Sequence, residues 1–160
     1  MELFGLELSK EKTRILPFGR YSGSRETFDF LGFTHFNSKT RKGYYSVGHK
    51  ISRKKKKRFK SNLKKWVKEN RNTQFDEFMK ALNKKLTGSF NYYSLSGMIK
   101  EVRNLWQHSL YVTFKWLNRR SQRRSFKLER FYEIWNDRII HPYIHVDIWS
   151  SDKVIYNKNV

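Results

Sequence analysis

The string SRKKKKRFKSNLKKWVKEN, Ser52–Asn70, is where the hydrophobic period changes from two to 3.6, and its reading decides the fold. Phe59, Leu63, Trp66 and Val67 fall on one helical face and Ser52 suits an N-cap, which predicts a helix from about Ser52 to Asn70. Its opening is a run of six cations: Arg53, Lys54, Lys55, Lys56, Lys57 and Arg58. At 100° per residue these turn through roughly 500°, so they wrap every face and cannot form one solvated stripe beside a core. Cations at a helix N-terminus also oppose the macrodipole by about 0.3–1 kcal/mol each. An external anion is therefore expected, with phosphate first; a solvated run or a localisation address is the competing explanation.

Downstream, the same period continues. Thr73 is placed to cap a second helix whose Phe75, Phe78, Met79, Leu82 and Leu86 share a stripe, with Gly88 as its stop. A third helix is expected from near Ser96, burying Ile99, Val102, Leu105, Trp106 and Leu110. Continued further, it would carry Arg119, Arg120, Arg123 and Arg124 onto its buried side, where unpaired charge is too costly. It should therefore end near Asn118, in a left-handed cap, and the arginines should take a new direction. Phe126–Ile140 forms a fourth pattern with Leu128, Phe131, Tyr132, Trp135 and Ile139 in register, ended by Pro142. Short connections make these helices a small antiparallel bundle.

Upstream, the chain is β-rich. Lys12–Leu16 is a candidate strand, and Pro17–Arg25 a loop broken at Gly19 and Gly23. TFDFLGFTHF, Thr27–Phe36, reads as an extended segment covered on both faces, with Phe28, Phe30 and Gly32 on one side and Leu31 and Phe33 on the other. A polar turn from Asn37 to Lys42 then leads through Gly43 into Tyr44–Val47, a hairpin. The expected class is α+β, mainly α: a β-rich 1–50, a helical bundle over 51–125, and a C-terminal helix and tail over 126–160.

Across the 160 residues, 35 Lys and Arg face 14 Asp and Glu, a formal +21. Aromatics at 17% and hydrophobic residues at 38% can close a modest core, unlike a disordered basic tail. Such an excess points to a polyanion, nucleic acid before membrane, since no apolar stretch approaches the roughly 20 residues that span a bilayer. With no Cys, disulfides, thiolate zinc sites and thiol catalysis are excluded, which fits a reducing compartment. His141, His145 and Asp147 have metal-like spacing, but five His and no Cys make a metal site a weak expectation, and none is assigned. No cofactor is expected.

Arg forks onto phosphate and stacks on bases, so Arg119–Arg124 is a second candidate RNA contact, with Trp116 beside it reading as core before stacking platform. Between the clusters, GSFNYYSLSG (Gly88–Gly97) puts Tyr92 and Tyr93 in a turn sequence, where they either stack on bases or plug the bundle.

Four strings in order, GLELSKEKTRIL (Gly5–Leu16), FDFLGF (Phe28–Phe33), LTGSFNYYSLSG (Leu86–Gly97) and KWLNRRSQRRSF (Lys115–Phe126), resemble the C-terminal half of a bacterial group II intron reverse transcriptase and maturase. The resemblance implies that Met1 to about Val47 is the end of a polymerase palm. Lys12 then matches the Lys of a palm motif, and Leu31, Gly32 and Phe33 match the primer-grip strand. Ser52 to about Asn118 would be the thumb, or domain X, closed by the basic segment Arg119–Arg124.

In that family the thumb binds intron RNA, assists its folding and splicing, and holds the template and primer duplex. The polymerase motif ends in Asp-Asp, and this sequence contains no Asp-Asp pair. Two-metal chemistry needs such clustered carboxylates, so no catalytic residue is assigned, and magnesium is expected only for the parent polymerase or the intron RNA. The Cys-containing endonuclease module of some members is likewise unmatched.

The expectation is an RNA-binding maturase module of the bacterial cytoplasm. Its candidate RNA contacts are Arg53–Arg58, Lys60, Tyr92, Tyr93, Arg119, Arg120, Arg123 and Arg124. The alternative is half of a split polymerase whose separate partner chain carries the Asp-Asp motif.

Overall fold

The computed structural model describes residues 13, 15–120 and 125–143. Three strands precede four helices: β1 (Thr27–Phe30), β2 (Phe33–Lys39), β3 (Tyr45–Ile51), α1 (Arg53–Asn70), α2 (Phe75–Tyr93), α3 (Ile99–Leu117) and α4 (Leu128–Arg138). They fall into two compact units, residues 1–49 and 50–160. The α+β, mainly helical class is as expected. The expectations for Lys12, His145, Asp147 and the C-terminal tail fall outside the described residues.

In the first unit the extended reading of Thr27–Phe36 is corrected. Leu31 and Gly32 both have positive φ, 48° and 86°, and form a two-residue turn that pairs Phe30 with Phe33 and Thr27 with Phe36. This twist matches that of the flanking strands, whereas the left-handed conformation strains Leu31, which lacks the freedom of Gly. Neither face is fully covered there, for Phe30 and Leu31 are exposed at the hairpin tip. Of the primer-grip candidates, Leu31 and Gly32 therefore sit in a turn and only Phe33 is buried.

The second hairpin forms, but its turn is the 40–44 loop, where the Gly43 N–H donates to the Thr40 carbonyl, and not Asn37–Lys42, because Asn37, Ser38 and Lys39 extend β2. A Cβ at Gly48 of β3 would lie 2.5 Å from the Phe36 ring, which would have to shift to admit it. Residues 13, 15 and 16 carry no strand, and Ile15 is exposed, so pairing would gain it no burial.

The helical unit follows its apolar stripes. Ser52 Oγ accepts from the Lys55 N–H and caps α1, which buries Leu63 and Val67. Gln74, one residue after the expected Thr73, caps α2 by accepting from the Glu77 N–H. Nor does α2 stop at Gly88. A mid-helix Gly costs about 1 kcal/mol, but Leu82, Leu86, Phe90 and Tyr93 continue one buried stripe at helical spacing and outweigh it. The expected turn sequence Gly88–Gly97 is thus mostly the end of α2.

Helix α3 starts at Ile99, three residues later than expected, and ends at Leu117 as predicted. The Asn118 cap is right-handed, not left-handed, with φ −71°. On α4 the buried residues are Phe131 and Trp135, while Leu128 and Tyr132 are exposed. Trp106 of α3 meets Trp135 edge-on at 6.0 Å and donates from its indole N–H to the Ile140 carbonyl. An Asp76–Arg138 ion pair joins the first turn of α2 to the last of α4. No described helix is long and apolar enough to cross a membrane.

Candidate nucleic-acid interface

Two up-and-down connections return α3 alongside α1 in the same direction. Lys56 near the start of α1 pairs with Glu101 near the start of α3 at 2.6 Å, and Lys68 and Arg71 at the far end of α1 reach Trp116 near the end of α3. The two helices therefore begin together and end together.

The opening run of α1 is as exposed as helical geometry requires, with one exception. Arg53, Lys54, Lys55, Lys57 and Arg58 are exposed, as is Lys60, while Lys56 is half-buried against Glu101. The first turn of α1 holds no acidic residue. Lys50, Arg53, Lys56, Lys57 and Lys60 line an open hollow of about 540 Å³ with Ile51 at its base. Five cations on one concavity repel each other, and an anion seated there relieves that repulsion.

From this hollow a stripe continues that the sequence reading missed. Arg53, Lys57, Lys60, Lys64, Lys68 and Arg71 recur at intervals of four, three, four, four and three, inside a sector of about 80°. It runs beside the core face of Leu63 and Val67 for roughly 27 Å. Its signal in the sequence is a period of 3.6 among cations rather than among apolar residues. His108 of α3 lies beside the stripe, where burial and then the charge of Lys60 hold its imidazole below the usual histidine range.

At the far end of the stripe, Trp116 is half-buried and ringed by cations. Lys68 stands 5.8 Å from its ring centroid, Arg71 at 5.5 Å and Arg119 at 5.4 Å. The expectation of a core Trp116 is thereby replaced by an indole whose face holds the cations of two helices together. Arg120 is half-buried and spent on the fold: it donates to the carbonyls of Leu117 and Arg71, tying the ends of α3 and α1. Arg123 and Arg124 lie outside the described residues.

One side chain joins the end of α3 to Phe126. Asn118 donates to the Phe126 carbonyl at 3.1 Å and accepts from the Phe126 N–H at 2.8 Å. This amide copies a strand-like pair of hydrogen bonds and holds Phe126 at the end of α3.

The two candidate tyrosines separate. Tyr92 is 52% exposed, whereas Tyr93 is 9% exposed and continues the core stripe of α2. Burial, and then Tyr92, push the Tyr93 hydroxyl above the usual tyrosine range. Tyr92 meets Tyr93 edge-on at 4.9 Å, so the buried ring positions the exposed one. The five residues 94–98 link this end of α2 to α3, which places Tyr92 at the end of the bundle holding Arg53–Arg58. Among the described residues no group of three His, Asp or Glu could hold a metal ion.

Residues 56–134, the helical unit from the first turn of α1 into α4, match the family described as Group II intron, maturase-specific domain. Neither the curated proteins nor the solved structures yield a match.

Proposed function

We propose that this chain, which carries a group II intron maturase-specific domain over residues 56–134, grips structured intron RNA along the α1 stripe and at the joined ends of α1 and α3. The domain itself supports RNA binding in aid of intron folding and splicing. The observation that carries the residue assignment is the stripe Arg53, Lys57, Lys60, Lys64, Lys68 and Arg71, which leads from the five-cation hollow to the Trp116 cluster. Evenly spaced cations on a rigid helix neutralise phosphates that an RNA fold must bring close together. This lowers the repulsion opposing the catalytic fold, while the chemistry of splicing stays with the RNA. Tyr92 adds a stacking surface near the hollow. On this reading the protein acts in the bacterial cytoplasm.

Binding to the intron RNA should weaken steeply with salt, by about 0.7–0.9 log units of affinity per log unit of salt for each phosphate contacted. Splicing of that RNA in low magnesium should be faster with the chain present. A flat salt dependence, or an unchanged splicing rate at saturating protein, overturns the proposal.

A second reading is favoured by the apolar side chains that the first unit leaves exposed, Phe30, Leu31 and Tyr44. Such a surface suits a chain that joins a separate polymerase half and helps hold a template and primer duplex. Co-purification with the product of an adjacent reading frame carrying the Asp-Asp motif, and polymerase activity of the pair alone, would establish it.

A further inference from the structure

A groove of about 840 Å³ opens between the end of α3 and the start of α4. It rests on the RNA-binding reading above, and it differs from the stripe in being built of rings. Its floor is Phe114 and Phe126, both anchored by Phe131 at 5.6 and 5.5 Å, with Phe126 held also against Phe75 at 5.2 Å. Its walls are Tyr111 and Leu128, 58% and 50% exposed, two large apolar side chains with no role in the core. Three cations stand among the lining residues, Lys115, Arg119 and Lys127, opposed by Glu129. We propose that this groove takes a single unpaired nucleobase of the bound RNA, stacked between Tyr111 and Leu128 with its flanking phosphates on Lys115, Arg119 and Lys127.

Three observations favour a base over another occupant. An apolar slot bordered by cations matches a nucleotide, which presents a π-face between two phosphates. Arg119 both lines the groove and lies over Trp116, so the groove continues the basic surface. Its position is also held in advance, because Asn118 spends its amide on Phe126 and so locks the floor to the end of α3. Glu129 on the lining can accept from the N–H groups at a base edge, such as the exocyclic amino groups of cytosine, adenine or guanine.

The test compares two RNA duplexes of equal length, one blunt and fully paired, one with a single bulged 2-aminopurine, against the full chain and its Tyr111→Ala, Leu128→Ala and Tyr111→Phe variants. Both walls are exposed, so these substitutions leave the core intact, and a thermal melt checks that they do. The expected result is quenching of the 2-aminopurine by the wild-type chain. Bulged-duplex affinity should fall about fivefold to a hundredfold in the alanine variants, the stacking worth of one base. Blunt-duplex affinity should be unchanged, and Tyr111→Phe should behave as wild type. Equal losses on both duplexes, or no loss on the bulged one, overturn the groove assignment while the wild-type salt dependence leaves RNA binding intact. Tyr111-dependent binding of an acidic peptide without Tyr111 dependence for bulged RNA assigns the groove to a protein and overturns it too. Failure of the wild-type chain to bind either duplex overturns both readings.

Discussion

Arg53–Arg58 stands at the N-terminus of α1, where free N–H groups already make the helix end positive; Arg119 and Arg120 stand just past the C-terminus of α3, where free carbonyls make it negative. At the first end the described contacts give only Lys56 an acidic partner, Glu101. At the second, Arg120 donates to two carbonyls and Arg119 packs on Trp116. Two basic strings that look alike in sequence therefore do different work. The α1 run opposes its own helix, so on the proposed function it is the part that awaits an external anion; the α3 run partly closes the fold and only partly faces outward.

The largest expected effect separates them on RNA. Replacing Lys57, Lys60, Lys64 and Lys68 together by Gln should lower the log–log salt slope of intron binding by about 3, four phosphate contacts at 0.7–0.9 each, with little change in melting temperature. Arg120→Ala should instead leave that slope nearly unchanged and cost about 1 kcal/mol in denaturant unfolding, since its hydrogen bonds serve the protein. An equal salt slope for the two variants would erase the distinction.

Asn118→Ala should cost about 2 kcal/mol, because the Phe126 N–H and carbonyl lose their partner. Smaller and opposite in sign, Lys54→Glu or Lys55→Glu should raise stability by about 0.3–1 kcal/mol per site while weakening RNA binding. A stability gain with loss of function is the signature of charge placed for a ligand.

The smallest effect is a titration. His108 has its folded pKa below the unfolded value of about 6.5, so its neutral form is favoured in the fold. Its contribution to stability is complete above that pH and is lost as the pH falls through it. Melting temperature should therefore drop as the pH falls below about 6.5, and by less in His108→Gln. RNA phosphate beside Lys60 offsets the charge that depresses His108, so bound RNA should shrink the drop further.

Much of the helical unit was legible because its apolar residues recur at 3.6. Leu63 and Val67, Phe78 to Leu86, Val102 to Leu110, and Phe131 with Trp135 were all named from spacing and are all buried. Local signals failed where packing outweighed them. Gly88 reads as a stop yet lies inside α2, because Phe90 and Tyr93 gain more by burial than a glycine costs. Leu31 reads as a strand residue yet turns with φ 48°, because closing the hairpin at Phe30 and Phe33 pairs the whole of β1 with β2. At the site, the six-cation run and the spacing of the stripe to Arg71 both lie within one helix and are written in the sequence, while the cations gathered around Trp116 are not.

Composition and period alone determined that this is a folded, strongly basic, mainly helical protein with cations that its own acids cannot balance. Those properties depend on residues counted or on neighbours within one helix. Only the tertiary structure decided which cations act together: setting α3 parallel to α1 brings Lys68, Arg71 and Arg119 onto one indole and spends Arg120 on the fold. Electrostatic work depends on distance in space, and no distance between α1 and α3 is written in either helix.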